Sequence, residues 1–282
     1  MKIDGSDGKI VMLQVCSFGR RACFGITRHH KKGLFFIRTD ILSVGFDNIT
    51  LSEAVNTAMD HIERGQRCRV VTPNAEIGLD CLKNEDLRRV VNDSQLVLPD
   101  GIGVIYASKI LGRPLKGKVA GVEFAEKLVE AMSRAGKGLF LFGGKPGVAE
   151  AAAEKLTAKY PGLVIAGTND GYYKPEEEPG IIKKINDSGA SALFVCLGCP
   201  KQEFFMDRND GALNVPVMAG LGGSLDVFSG NSQRAPKIFV DLGLEWLHRL
   251  LKEPKRIKRM ARLPLYLLYA FKSKIKGENK NA

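Results

Sequence analysis

Short apolar runs alternate along the chain with longer stretches whose apolar residues recur every three or four positions. The runs are RVVT (69–72), QLVLP (95–99), GLFLFG (138–143), LVIAG (163–167), ALFVCLG (192–198) and VPVMAG (215–220). Between them lie helical patterns such as GVEFAEKLVEAMSRAG and GVAEAAAEKLTAKY. Ahead of the first run, TLSEAVNTAMDHIE places Thr50 and Glu53 at capping-box spacing, with Leu51, Ala54, Val55, Ala58, Met59 and Ile62 on one helical face. Continuous buried strands separated by amphipathic helices predict an α/β fold, a Rossmann-like, mostly parallel sheet with helices on both faces.

Two ends of the chain break this rhythm. Residues 1–33 are basic and weakly patterned, ending in RHHKKG, and predict a poorly ordered N-terminal extension. Residues 34–230 form the α/β core. Residues 231–282 predict a helical basic appendage of two or three short amphipathic helices broken at Pro254 and Pro264.

In open α/β sheets ligands bind beyond the carboxyl ends of the strands, and there this sequence concentrates its unusual residues. The strand ends read TPNAE, PDGIG, GGKPG, TNDGYY, CLGCPKQE and AGLGGSLD. Their number implies one composite site. GGKPG, with Gly143, Gly144 and Gly147, suits amides that cradle a diphosphate at a helix N-terminus, although a tight strand-to-helix turn explains it equally well. CLGCPKQE holds a C-x-x-C, but without a second pair and with Cys196 inside an apolar run, packing is the simpler role for both cysteines. Gln202 at the following helix start either faces a ligand or merely begins a helix. Thr72 and Asn74 suit hydrogen bonds to a sugar or to their own turn. Asp100, in Asp-Gly after a strand, is a candidate acid or base, with turn chemistry as the alternative.

Charge adds a partner. The net charge is +11, yet residues 249–276 carry ten Lys or Arg against one Glu, which leaves the rest close to neutral. Trp246, Leu250, Leu251, Tyr266, Tyr269 and Phe271 interleave with those cations, the composition of a helix lying on an anionic membrane surface. The aromatics cluster with aliphatics instead of standing apart as stacking platforms, which argues against nucleic acid. Six scattered cysteines fit a reducing cytoplasm, and no apolar run is long enough to span a bilayer.

TPNAE, LVLPDGIGVIYASKILG, FLFGGKPGVAEAAAEKL, LGCPKQE and GLGGSLDVFSGNSQRAPKIFVDLGLEWLHRLLKEPKR resemble, in order and spacing, the WecG/TagA/CpsF family of bacterial glycosyltransferases. The resemblance covers roughly residues 38–260. It implies inverting transfer of a hexose, commonly N-acetylmannosamine, from a UDP-sugar to a polyprenyl-diphosphate-linked sugar, in cell-wall teichoic acid or exopolysaccharide synthesis, at the inner face of the cell membrane. No metal or other cofactor is implied, and the sequence has no D-x-D pair. By position Asp100 matches the catalytic base, and Thr72 and Asn74 the sugar pocket beside it. Tyr172, Gln202 and Asp226 match positions around the nucleotide, next to the Gly143, Gly144 and Gly147 turn. Arg249, Arg256 and Arg259 match arginines that close over the leaving diphosphate. A homo-oligomer is left open.

Two rival readings stand beside this one. A nicotinamide-dependent oxidoreductase would use FGGKPG with Asp170 as the ribose acid, and a non-catalytic membrane-associated module would keep only the UDP-sugar pocket.

Overall fold

The computed structural model describes residues 38–233, 235–236, 239, 247 and 261–278. The expected N-terminal extension at residues 1–33 and Arg249, Arg256 and Arg259 lie outside the described residues.

The chain enters as a hairpin, β1 (Arg38–Ile41) and β2 (Val44–Asp47), antiparallel in register Arg38 to Asp47. Its turn places Leu42 and Ser43 at φ of 54° and 69°, left-handed values that carry no Asn-Gly signature here. The hairpin is fastened to the core by Asp47, whose carboxylate accepts the Val97 amide at 2.7 Å and pairs with Arg38 at 3.1 Å.

Next come α1 (Leu51–Arg64), β3 (Cys68–Val71), α2 (Ala75–Lys83), α3 (Glu85–Asn92), β4 (Leu96–Val97), α4 (Ile102–Ile110) and α5 (Gly121–Arg134). They are followed by β5 (Gly138–Gly143), α6 (Val148–Lys159), β6 (Val164–Asn169), α7 (Glu178–Asp187) and β7 (Ala192–Cys196). Then come α8 (Lys201–Arg208), β8 (Val217–Gly220), α9 (Ser224–Phe228) and, at the C-terminal end, α10 (Arg262–Glu278). The capping box of α1 forms: the Glu53 amide donates to Thr50 Oγ1 at 3.3 Å and the Thr50 amide to Glu53 Oε2 at 2.6 Å.

Strands β3 to β8 form one six-stranded sheet in the order β4-β3-β8-β7-β5-β6, with every neighbouring pair parallel. Strand residues alternate between two cores because successive side chains leave opposite faces. Phe140, Phe142, Leu193, Val195 and Met218 pack on the face covered by α2, α3, α4, α7 and α8. Leu139, Leu141, Phe194, Val217 and Ala219 pack on the face covered by α1, α5, α6 and α9. Apolar helix layers on both faces leave the strand ends as the place where polar chemistry meets water.

Helix α10 docks onto α2 and α4. Two glycines make the seat: a Cβ on Gly78 of α2 would lie 2.6 Å from the Tyr266 ring, and one on Gly103 of α4 would lie 2.3 Å from Leu263. Tyr266 and Ala270 are fully buried there. Arg262 ties the helix start to α2 through Asp80 and through the Glu76 carbonyl at 3.1 Å. Pro264 does not break this helix. It is the third residue, within the first turn, where its missing N–H would have no intrahelical partner in any case.

Truncating Tyr266→Ala is expected to empty this seat and to cost about 3 kcal/mol, the usual cost of removing a buried aromatic ring, read by urea unfolding. A loss under about 0.5 kcal/mol would show that α10 contributes little to the folded core.

Candidate active site

The parallel register brings six strand ends to one rim. At one end of that rim, Leu98 donates its amide to Val71 O at 2.8 Å, Asp100 to Pro73 O at 3.3 Å and Val119 to Pro99 O at 2.9 Å, so the TPN and PDG turns are laced together. The Asp100 carboxylate receives the Gly121 amide at 3.4 Å. Gly121 is the first residue of α5, whose N-cap Ala120 makes no side-chain cap bond. Asp100 therefore sits where the positive end of a helix attracts an anion. Gly101, at φ +82°, lets the chain turn from the acid into α4.

Thr72 is beside it, since a Cβ on Gly121 would lie 3.1 Å from Thr72 Oγ1. The Thr72 hydroxyl donates to Gly220 O at 3.1 Å, across from β3 to β8. Asn74 caps α2, its Oδ1 accepting the amides of Glu76 at 2.9 Å and Ile77 at 3.1 Å. That bond fixes the side chain and leaves its NH2 end to donate elsewhere.

Along the rim from Gly220 lies an open cleft of about 290 Å³ lined by Gly144, Lys145, Tyr172, Gly198, Gly223 and Asp226, among others. Its floor needs glycine. A Cβ on Gly143 would lie 2.3 Å from the Cys196 carbonyl oxygen, a backbone atom that cannot step aside. Gly144 N donates to Cys196 O at 3.2 Å, and Gly171 N to Gly144 O at 2.9 Å, so the ends of β5, β6 and β7 form one surface. Gly147 precedes the first turn of α6, and of the sequence-predicted glycines Gly144 lines the cleft itself. Tyr172 is 70% exposed and presents a ring at the cleft edge. The next residue, Tyr173, packs on Phe142 and donates its hydroxyl to Glu178 at 3.0 Å. Glu178 is held in turn by Arg208, whose hydrogen bonds pull its carboxyl down to about 2.

Gln202 does not reach the cleft with a free amide. It is 2% exposed, its Oε1 accepting the Gly222 amide at 2.9 Å and its Nε2 donating to Glu203 at 2.9 Å. Asp170, the ribose acid of the oxidoreductase reading, caps its own turn by accepting the Tyr172 amide at 2.8 Å. Cys68, Cys81 and Cys196 are buried free thiols, whereas Cys199 is exposed because it stands in the loop ahead of α8. Among the described residues no cluster of His, Cys, Asp and Glu is arranged to hold a metal ion.

Lys145, Gly198, Gly222 and Gly223 join the cleft without having been singled out, although their strand-end positions marked them. Gly121 gave no signal: it follows a long connection with no strand before it. A larger groove of about 420 Å³ between α1 and α5 is lined by Ser52, Asn56, Lys127 and Glu130, among others, and by none of these strand-end residues. Size alone is therefore a poor guide here.

Glu178 gives this site a measurable acid limb. Its carboxyl is lowered from 4.5 to about 2, so its stabilising effect is complete above about 4.5 and is lost as pH falls from there toward 2. Glu178→Gln is expected to lower the melting temperature at pH 7 and to match the wild type near pH 2; an equal gap at both pH values would contradict this.

Comparisons with known proteins identify the family. The chain is 37% identical over 212 residues, 75% of its own length and 82% of the other's, to the N-acetylglucosaminyldiphosphoundecaprenol N-acetyl-beta-D-mannosaminyltransferase of Bacillus spizizenii. It is 34% identical over 233 residues, 82% and 90% of the two lengths, to the protein of the same name from Bacillus subtilis. The profile of one glycosyltransferase family matches residues 39–280. With that coverage, the chain belongs to the WecG/TagA/CpsF family of glycosyl transferases.

Proposed function

We propose that this protein transfers N-acetylmannosamine from a UDP-linked donor to N-acetylglucosaminyldiphosphoundecaprenol, with inversion and without a metal ion. The acceptor and sugar follow the names of the Bacillus relatives. The observation that carries the mechanism is the run of contacts from Asp100 to the cleft: the Asp100 carboxylate bonded by the Gly121 amide, Gly121 packed against Thr72, and the Thr72 hydroxyl bonded to Gly220 O at the cleft margin.

In this reading UDP occupies the cleft. Tyr172 stacks on the base, Asp226 accepts from ribose hydroxyls, and Lys145 with the Gly143 to Gly147 turn faces the diphosphate. The donor sugar then extends toward Thr72 and Asn74. An acceptor hydroxyl attacks the anomeric carbon from the side opposite UDP, its proton passes to the Asp100 carboxylate, and the bond to the UDP oxygen breaks, so the anomeric configuration inverts in one displacement. Arg249, Arg256 and Arg259 are proposed to neutralise the departing phosphates.

The acceptor is lipid-linked, and α10 suggests how the protein meets it. Leu265, Leu268, Phe271 and Ile275 stay exposed on this helix beside Lys272 and Lys276, an apolar and cationic face suited to an anionic membrane. No helix among the described residues is long and apolar enough to cross one. The core of residues 34–230 and the tail of residues 231–282 are read as working together at the inner leaflet.

UDP release from UDP-N-acetylmannosamine with a synthetic polyprenyl-diphosphate acceptor tests the chemistry. Asp100→Asn is expected to lower turnover about a hundred-fold or more, the usual contribution of a general base, while UDP binding persists. Near-normal turnover would remove Asp100 from the mechanism. Replacing Lys272, Lys274 and Lys276 with Gln should weaken sedimentation with phosphatidylserine vesicles by roughly a hundred-fold, at about 1 kcal/mol per cation. Unchanged vesicle binding would reject α10 as the membrane face.

A further inference from the structure

Glu203 is the third residue of α8 and is only 1% exposed. Its Oε2 has no hydrogen-bond partner, and no cation pairs with it among the described residues. The groups facing it are the Cys199 thiol from its own loop, which donates to the carboxyl, and the Cys81 thiol of α2. An aliphatic side chain of similar volume would be easier to bury there. The remaining oxygen, Oε1, has one clear task, accepting the Gln202 amide at 2.9 Å.

That bond and the Gly222 contact together set which way the Gln202 amide points. Gln202 Oε1 must face the Gly222 N–H, 2.9 Å away, so its NH2 end must face residue 203. A flipped amide would set NH2 against N–H at Gly222. An acceptor at position 203 opposes the flip from the other end of the amide. The amide also lies flat on β8, where a Cβ on Gly220 would meet Gln202 Nε2 at 3.0 Å. A chain of three groups thus runs from a buried carboxyl to Gly222, which lines the cleft with Gly223 and adopts φ +55°.

We propose that Glu203 is a positioning residue for the nucleotide cleft: its carboxyl fixes the sense of the Gln202 amide, which holds the Gly222 to Gly223 turn in the shape that receives UDP. This rests on the reading of the cleft as the UDP site. Its effect falls on binding, because a turn that must be ordered by the ligand binds it more weakly than one already in place. The displacement at Asp100 is untouched.

The test measures UDP affinity by calorimetry on the full chain, together with donor KM and kcat. Glu203→Gln keeps an acceptor oxygen and is expected to bind UDP within about three-fold of wild type. Glu203→Met, which has none, should bind about ten-fold more weakly, the equivalent of one lost hydrogen bond, with donor KM raised and kcat nearly unchanged. In a Gln202→Leu background, where Gly222 has already lost its acceptor, Glu203→Met should add nothing. Glu203→Asp, which withdraws the carboxyl by one methylene, carries the same expectation should the Met variant fail to fold. Wild-type protein that fails to bind UDP would overturn the reading of the cleft. Wild type that binds while the folded Met or Asp variant binds equally, or effects that simply add in the double variant, would overturn the role of Glu203 alone.

Discussion

The parallel pairing of β3 with β8, which sets Val71 against Gly220 and allows the Thr72 hydroxyl to bond the Gly220 carbonyl, joins the two halves of the site. On one side of that joint are β3 and β4 with the turns bearing Asn74 and Asp100. On the other are β8, β7, β5 and β6 with the glycine-lined cleft. A slip of one residue would turn every core side chain of β3 to the opposite face. Because both faces are apolar, the register that packs the core also sets the distance between acid and cleft.

The same economy governs the C-terminal helix. Gly78 and Gly103 stand one turn or less beyond the helix starts that follow Asn74 and Asp100, and they are the residues on which Tyr266 and Leu263 rest. The helix proposed to meet the membrane therefore packs on the elements that carry the proposed base and sugar pocket. Its polar clasp, Arg262 with Asp80 and Glu76, lies on α2 as well. The docked helix and the turns bearing Asn74 and Asp100 thus share two short helices, α2 and α4.

Much of this was legible in the sequence. The six apolar runs became the six strands of the parallel sheet, with all but β5 shifted or shortened by up to two residues at an end, because continuous burial on both faces leaves a clear pattern. The hairpin at Arg38–Asp47 was not legible: its turn is made by Leu42 and Ser43, which carry no turn signature. Gly121, Gly222 and the inward course of the Gln202 amide were also hidden, since each depends on a contact between segments far apart in sequence. Glu203 reads as an ordinary first-turn acid of a helix, and only its burial against α2 shows otherwise.

A crystal structure with UDP bound tests the central claim most directly. The account predicts the uracil on Tyr172, the ribose at Asp226 and the diphosphate beside Gly144 and Lys145, its terminal phosphate directed along the rim toward Thr72 and Asp100. Density for UDP in the groove between α1 and α5, or in the cleft with its phosphates turned away from Asp100, would contradict it.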